Sequence, residues 1–107
     1  MIDLEDAARE HFALYNDAVH LGAYRRLMDN FAKDAVLTIG SERYVGRDAI
    51  AAGELAVLRE SVEVVSIEQS SPERAQVVFK LDHTGRTGSA EMTWRDGELV
   101  EVSVSYD

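Results

Sequence analysis

The spacing of hydrophobic residues changes near Glu60, and this change restricts the fold more than any other feature of the chain. Before Glu60, apolar residues such as Ala8, Phe12 and Tyr15 recur with the period of an amphipathic helix. After Glu60, apolar and polar residues alternate, as they do from 74 to 84, which is typical of strands with one buried face. Helices followed by an antiparallel meander favour an α+β fold, with helices packed on one face of a sheet.

Capping and turn residues place the individual elements. Asp3 is suited to cap a first helix that ends at Gly22, and a second short helix is expected at 23–30. A third helix is expected to begin at Gly46 or Asp48. Strands are predicted at 35–39, 43–45, 62–69, 74–84, 87–95 and 99–106.

Length, charge and cysteine content exclude several classes of protein. The 107 residues are 46% hydrophobic, which suits one domain with one core. A chain without cysteine forms no disulfide and has no thiolate metal ligand or cysteine nucleophile. A net charge of −9 disfavours nucleic acids and anionic membrane surfaces. No apolar run is long enough to span a bilayer, and the first residues are acidic, so we expect a cytoplasmic protein.

Two short motifs carry a family resemblance. One is Phe31-Ala32-Lys33-Asp34-Ala35-Val36, and the other is Gly46-Arg47-Asp48-Ala49-Ile50. Their order resembles the nuclear transport factor 2-like superfamily, especially its SnoaL-like and ketosteroid-isomerase-like members. The resemblance implies that residues 1–107 form a single SnoaL-like domain. It also implies a cystatin-like fold, in which a cone-shaped, curved antiparallel sheet carries three helices on its concave side and the first helix closes one side of a cavity.

Tyr15 and His11 are the candidate catalytic residues. Tyr15 lies sixteen positions before Phe31, as does the ketosteroid isomerase tyrosine that donates to the substrate oxyanion. The resemblance therefore implies an oxyanion donor, while the alternative is a core tyrosine with a satisfied hydroxyl. His11 lies one helical turn earlier on the same face. It is either a general acid or base near neutral pH or a half-exposed residue at the helix edge.

This sequence lacks the other catalytic groups of the isomerases at the corresponding positions. Their general base lies eight residues after the motif phenylalanine, and that position here is Ile39. Their second oxyanion donor falls at Ala90, or at Glu91 if the register differs by one residue. Abstraction of an α-proton needs a positioned base. Ketosteroid isomerisation is therefore not expected.

The inner face of the sheet is predicted to line a pocket for an apolar small molecule. The predicted lining residues are Phe12, Leu37, Ile39, Phe79, His83, Met92, Trp94, Val104 and Tyr106. His83 either guards the mouth of the pocket or is a solvated residue at a strand end. Phe79, Met92 and Trp94 form either a ligand wall or plain core, because periodicity does not separate the two. No metal-ligand spacing joins the three histidines, and we expect no cofactor.

Two functions remain open from the sequence. The first is a cofactor-free enzyme of small-molecule metabolism, of the cyclase or isomerase type that the resemblance implies. The second is a non-catalytic ligand-binding or dimerisation module. The resemblance also implies a homodimer through the outer face of the sheet. The predicted outer positions are Gln76, Val78, Glu91, Thr93, Glu101, Ser103 and Ser105.

Overall fold

Three helices precede and flank a six-stranded sheet in the computed structural model, which describes residues 3–57 and 60–106. The described elements are α1 Leu4–Leu21, α2 Tyr24–Asn30, β1 Phe31–Ile39, β2 Glu42–Val45, α3 Arg47–Val57, β3 Val62–Ser71, β4 Arg74–Leu81, β5 Thr87–Arg95 and β6 Glu98–Tyr106. The predicted α+β class is confirmed. No helix in these ranges is both long and apolar enough to cross a membrane.

Local capping chemistry sets both ends of α1. The Asp3 carboxylate accepts hydrogen bonds from the backbone amides of Glu5 at 2.9 Å and Asp6 at 3.3 Å. These bonds satisfy two of the amides that a helix start leaves without partners. Gly22 ends the helix with a φ of 70°, a left-handed conformation that glycine adopts without strain. Both predicted ends are therefore confirmed.

The sheet is mixed rather than wholly antiparallel. Its strand order is β2-β1-β6-β5-β4-β3, and β1 runs parallel to β6 while every other described neighbour is antiparallel. The prediction of a wholly antiparallel sheet is wrong at this pair. Alternation shows which face of a strand is buried but does not identify its partner. Because a long stretch of chain separates β1 from β6, no hairpin forces them to run in opposite directions.

The helices cover the concave face of this sheet. α1 packs against β3 and β4, while α3 packs against β1 and β2. Concave positions on the sheet, such as Leu37, Val77 and Met92, are buried against them. On the outer face, Gln76 and Glu101 are exposed.

The two motifs of the sequence meet at the start of β1. The Arg47 guanidinium donates to the Phe31 carbonyl from Nε at 2.9 Å and from Nη2 at 2.6 Å. The Gly46 amide donates to the Ala35 carbonyl at 2.8 Å, and Gly46 has a φ of 87°. These bonds fix where α3 begins relative to β1. The motifs therefore have a structural role, which is to hold the start of α3 against β1.

Candidate functional site

A small cavity lies between α1 and the concave face of the sheet. Its volume is about 40 Å³. One water molecule needs roughly 10–15 Å³ on this measure, so the cavity has room for about three. Pockets for drug-sized ligands measure roughly 300–1,000 Å³. The lining residues are His11, Phe12, Tyr15, Leu37, Ile39, Phe79, Ala90, Val102, Val104 and Tyr106.

His11 is the buried polar group of this lining. It is 3% exposed, and its Nδ1 lies 2.8 Å from Oδ1 of Asn30. An amide oxygen only accepts, so Nδ1 carries the ring proton. The rings of Phe12 and Phe31 meet the imidazole edge-on at centroid distances of 5.4 and 5.2 Å. Burial lowers the pKa of His11 to about 4, against the opposing effect of the Asn30 hydrogen bond. The ring is therefore neutral at neutral pH.

The second ring nitrogen of His11 presents a lone pair to the cavity. Nε2 makes no hydrogen bond within the described part of the chain. Every fully buried side-chain nitrogen or oxygen atom in that part has a partner, so Nε2 must touch open space. His11 lines the cavity, which supplies that space. An acceptor thus faces a wall that is otherwise mostly apolar.

Tyr15 lies on the same side of α1, one turn after His11. Its hydroxyl donates to the backbone carbonyl of Glu60 at 3.3 Å. A hydroxyl has one proton to donate. To donate to a substrate oxyanion, Tyr15 must therefore give up the bond to Glu60.

Two aromatic rings of the sheet, Phe79 and Tyr106, form the opposite wall. The Phe79 ring lies 5.7 Å from Phe12 and 5.9 Å from Tyr106, measured between centroids, and the contact with Tyr106 is edge-on. The Arg86 guanidinium carbon lies 5.0 Å from the centre of the Tyr106 ring, a cation–π geometry. Tyr106 is thereby held between Phe79 and the turn that follows β4.

Gly88 provides the space in which Phe79 sits. A Cβ atom added at Gly88 would lie 2.7 Å from the Phe79 ring and 3.1 Å from the Ser105 carbonyl oxygen. Sequence reasoning did not identify this residue. Its signal is a glycine inside an alternating strand, which often marks a close approach by another group.

Both positions that the isomerase resemblance assigns to acidic residues are apolar and line the cavity. Ile39 occupies the position of the base, and Ala90 occupies that of the second oxyanion donor. Of the two positions considered for the second oxyanion donor, Ala90 is the one that lines the cavity. Glu91 is exposed instead, with its carboxylate 3.6 Å from the Arg74 guanidinium. Among the lining residues that the structure describes, none is a carboxylate.

The structure does not bring every predicted pocket residue to the cavity. His11, Phe12, Tyr15, Leu37, Ile39, Phe79, Val104 and Tyr106 meet there. Met92, by contrast, is wholly buried core, and Trp94 lies at a separate depression beside the start of α1. Residues that alternate along one strand share a face, but each lies under a different part of α1. Ala90 and Val102 line the cavity and were missed, although both lie on predicted inner faces.

His83 lies beyond the end of β4, away from the cavity. It shares a shallow depression with His20, Glu60 and Asp82. Both carboxylates of this depression already accept hydrogen bonds, Asp82 from Ser61 at 2.5 Å and Glu60 from Thr84 at 2.9 Å. A search of the described residues finds no group of three or more side chains arranged to hold a metal ion.

Comparisons of the sequence find no matching family model and no matching curated protein. Solved structures do match. A proposed SnoaL-like family isomerase from Agrobacterium tumefaciens is 15% identical, with a TM-score of 0.79 over 95% of each chain. A proposed polyketide cyclase from Sinorhizobium meliloti is 22% identical, with a TM-score of 0.75 over 89% of this chain and 93% of the other.

A third match is to a protein described by this fold. A nuclear transport factor 2-like protein of unknown function from Cytophaga hutchinsonii has a TM-score of 0.74 over 100% of this chain and 92% of its own. The identity is 11%, a level at which the likeness concerns the arrangement of elements and not the chemistry of a site. The chain therefore has the nuclear transport factor 2-like fold.

Proposed function

We propose that this chain is a SnoaL-like protein that binds an apolar small molecule in the cavity between α1 and the sheet. The composition of the lining carries the proposal. Apart from His11 and the hydroxyls of Tyr15 and Tyr106, the lining residues within 3–57 and 60–106 that the structure describes are aliphatic or aromatic. A mostly apolar concave surface with a few polar groups is typical of small-molecule sites.

Binding fits this lining better than proton transfer. A general base works best when its pKa lies near the working pH. His11 has a pKa lowered to about 4 by burial, so its imidazole is a weak base. The described part of the lining offers no carboxylate to take that role. A cofactor-free cyclase or isomerase is the second candidate, supported by the likeness to a proposed polyketide cyclase and a proposed SnoaL-like isomerase.

A ligand larger than a few water molecules requires the cavity to enlarge. The side chains of the cavity wall can move, whereas the backbone on the sheet side is held by strand pairing. The Phe79 and Tyr106 rings are the largest groups of that wall. We therefore expect their rotamers to change when a ligand binds.

Ligand titration of the wild type, compared with a variant whose cavity is filled by a larger side chain, tests the proposal. Small aromatic and alicyclic compounds are titrated into the isotopically labelled protein and followed by amide NMR shifts. We expect shifts in residues that line the cavity, and we expect Ile39→Phe to weaken binding at least tenfold because its ring occupies the site. Val65→Phe is the control, since Val65 is 60% exposed on β3. Equal binding by wild type and Ile39→Phe, or binding by no compound, would contradict the proposal.

We also propose a homodimer through the outer face of the sheet, formed by cytoplasmic chains in which residues 1–107 are one domain. Short side chains at the centre of that face support it. Val78, Ser89 and Ser105 lie side by side across β4, β5 and β6. Two such sheets can approach closely, and a stable interface buries roughly 1,000 Å² or more.

A further inference from the structure

We propose that the ligand of the cavity is a neutral aromatic compound with a hydroxyl group, of the phenol class, and that this hydroxyl donates a hydrogen bond to Nε2 of His11. The inference rests on the proposed function. It adds the chemical class of the ligand and the atom that selects it.

The hydrogen-bond inventory of His11 decides which polar group a ligand needs. The Nδ1 proton is committed to Asn30 at 2.8 Å, so Nε2 offers a lone pair and no proton. A ketone, an ether or a carboxylate brings only acceptors and gains nothing from this atom. A hydroxyl brings a donor, and a ligand without one leaves a desolvated acceptor with no partner.

The rings around His11 favour an aromatic body for the ligand. Phe12 and Phe79 lie 5.7 Å apart, and Phe79 meets Tyr106 edge-on at 5.9 Å. A further ring extends this series of tilted and edge-on contacts, which are favourable beyond the apolar area that they bury. The net charge of −9 disfavours an anionic ligand. A phenol has an aromatic ring, and it carries no negative charge because it is neutral at neutral pH.

Asn30 is a positioning residue for this contact. Its amide oxygen holds the proton on Nδ1 and thereby keeps Nε2 an acceptor. Asn30→Asp has nearly the same shape, and its carboxylate also accepts the Nδ1 proton, so Nε2 keeps its lone pair at neutral pH. Asn30→Leu has no acceptor for this proton and leaves the ring free to carry it on Nε2. Asn30→Asp is therefore expected to keep the preference for a ligand that donates, and Asn30→Leu is expected to weaken it.

Matched probes test the inference. Phenol and toluene differ by a hydroxyl in place of a methyl group, and anisole retains the oxygen but has no proton to donate. Each is titrated at neutral pH into protein with ¹⁵N-labelled histidine. We expect phenol to bind about fivefold more tightly than toluene or anisole, from one net hydrogen bond of about 1 kcal/mol. We also expect only phenol to shift the Nε2 resonance of His11.

The outcomes separate the inference from the proposed function. Equal binding of phenol and toluene, with the Nε2 resonance unmoved, overturns the inference and leaves apolar binding intact. Binding of none of the probes overturns both. His11→Leu is expected to bind toluene more tightly than phenol, because the phenol hydroxyl then enters the cavity without this acceptor. Asn30→Asp is expected to keep the preference for phenol and Asn30→Leu to weaken it, and a preference for phenol that persists in His11→Leu also overturns the inference.

Discussion

His11 makes the stability of the protein depend on pH. The histidine is buried and its pKa falls to about 4, from 6.5 in an exposed chain. The unfolded state therefore binds a proton first as the pH falls, and stability is lost between pH 6.5 and about 4. The shift corresponds to at most about 3 kcal/mol.

Chemical denaturation across this pH range measures the effect. We expect the wild type to lose up to about 3 kcal/mol more than His11→Gln on going from neutral pH to pH 4, because glutamine does not titrate. His20→Gln is the matched control, since His20 is exposed in the last turn of α1. Parallel pH profiles for wild type and His11→Gln would show that burial of His11 has no such effect.

Gly88 sets the position of a cavity wall. In Gly88→Ala the new methyl group would overlap the Phe79 ring, since a Cβ there lies 2.7 Å from it. We expect the ring to tilt toward the cavity, with a loss of about 1–3 kcal/mol in stability and weaker ligand binding. Thermal denaturation and probe titration measure both effects. Phe79→Leu should relieve the overlap in the double variant, and purely additive losses would argue against this contact.

At the scale of elements, α3 packs closely against β2 at Gly53. A Cβ atom at Gly53 would lie 2.7 Å from the Tyr44 ring. Alanine favours a helix over glycine by about 1 kcal/mol, yet we expect Gly53→Ala to destabilise the protein because overpacking costs about 1–3 kcal/mol. In a Tyr44→Ser background the ring is absent, so the same substitution should stabilise by about 1 kcal/mol. Urea denaturation of the four proteins tests this, and the same sign in both backgrounds would contradict it.

Element boundaries followed from the sequence where their causes are local. The Asp3 cap and the Gly22 exit depend on residues within a few positions. The partner of β1 did not follow, because the choice of β6 depends on contacts across most of the chain.

The cavity was predictable only in part, for a related reason. Alternation placed Phe79 and Val104 on the inner face, and both line the cavity. The path of α1 across the sheet decides which inner residues face open space, and that path is a tertiary property. Met92 and Trp94 therefore share a face with Ala90 without reaching the cavity.

At the scale of the whole molecule, charge and sheet surface together govern association. Each chain carries a net charge of −9, so two chains repel and salt should weaken that repulsion. We expect light scattering to show a dimer that strengthens with ionic strength. Ser89→Arg at the centre of the outer face should give a monomer, whereas Gln69→Arg on the edge strand β3 should not. A monomer mass for the wild type at high micromolar concentration and high salt would contradict the homodimer.

The parallel pairing of β1 with β6 has a consequence for the order in which the protein is made. β6 lies between β1 and β5, so it alone joins the β1–β2 hairpin to the rest of the sheet. During synthesis, β1 and β2 leave the ribosome long before Glu98. Until β6 arrives, the edge of β1 that it will cover has no strand beside it, and such an edge is a site for mispairing between chains. We therefore expect nascent chains stalled before Glu98 to be bound by chaperones, and release of β6 to be the step that ends this binding.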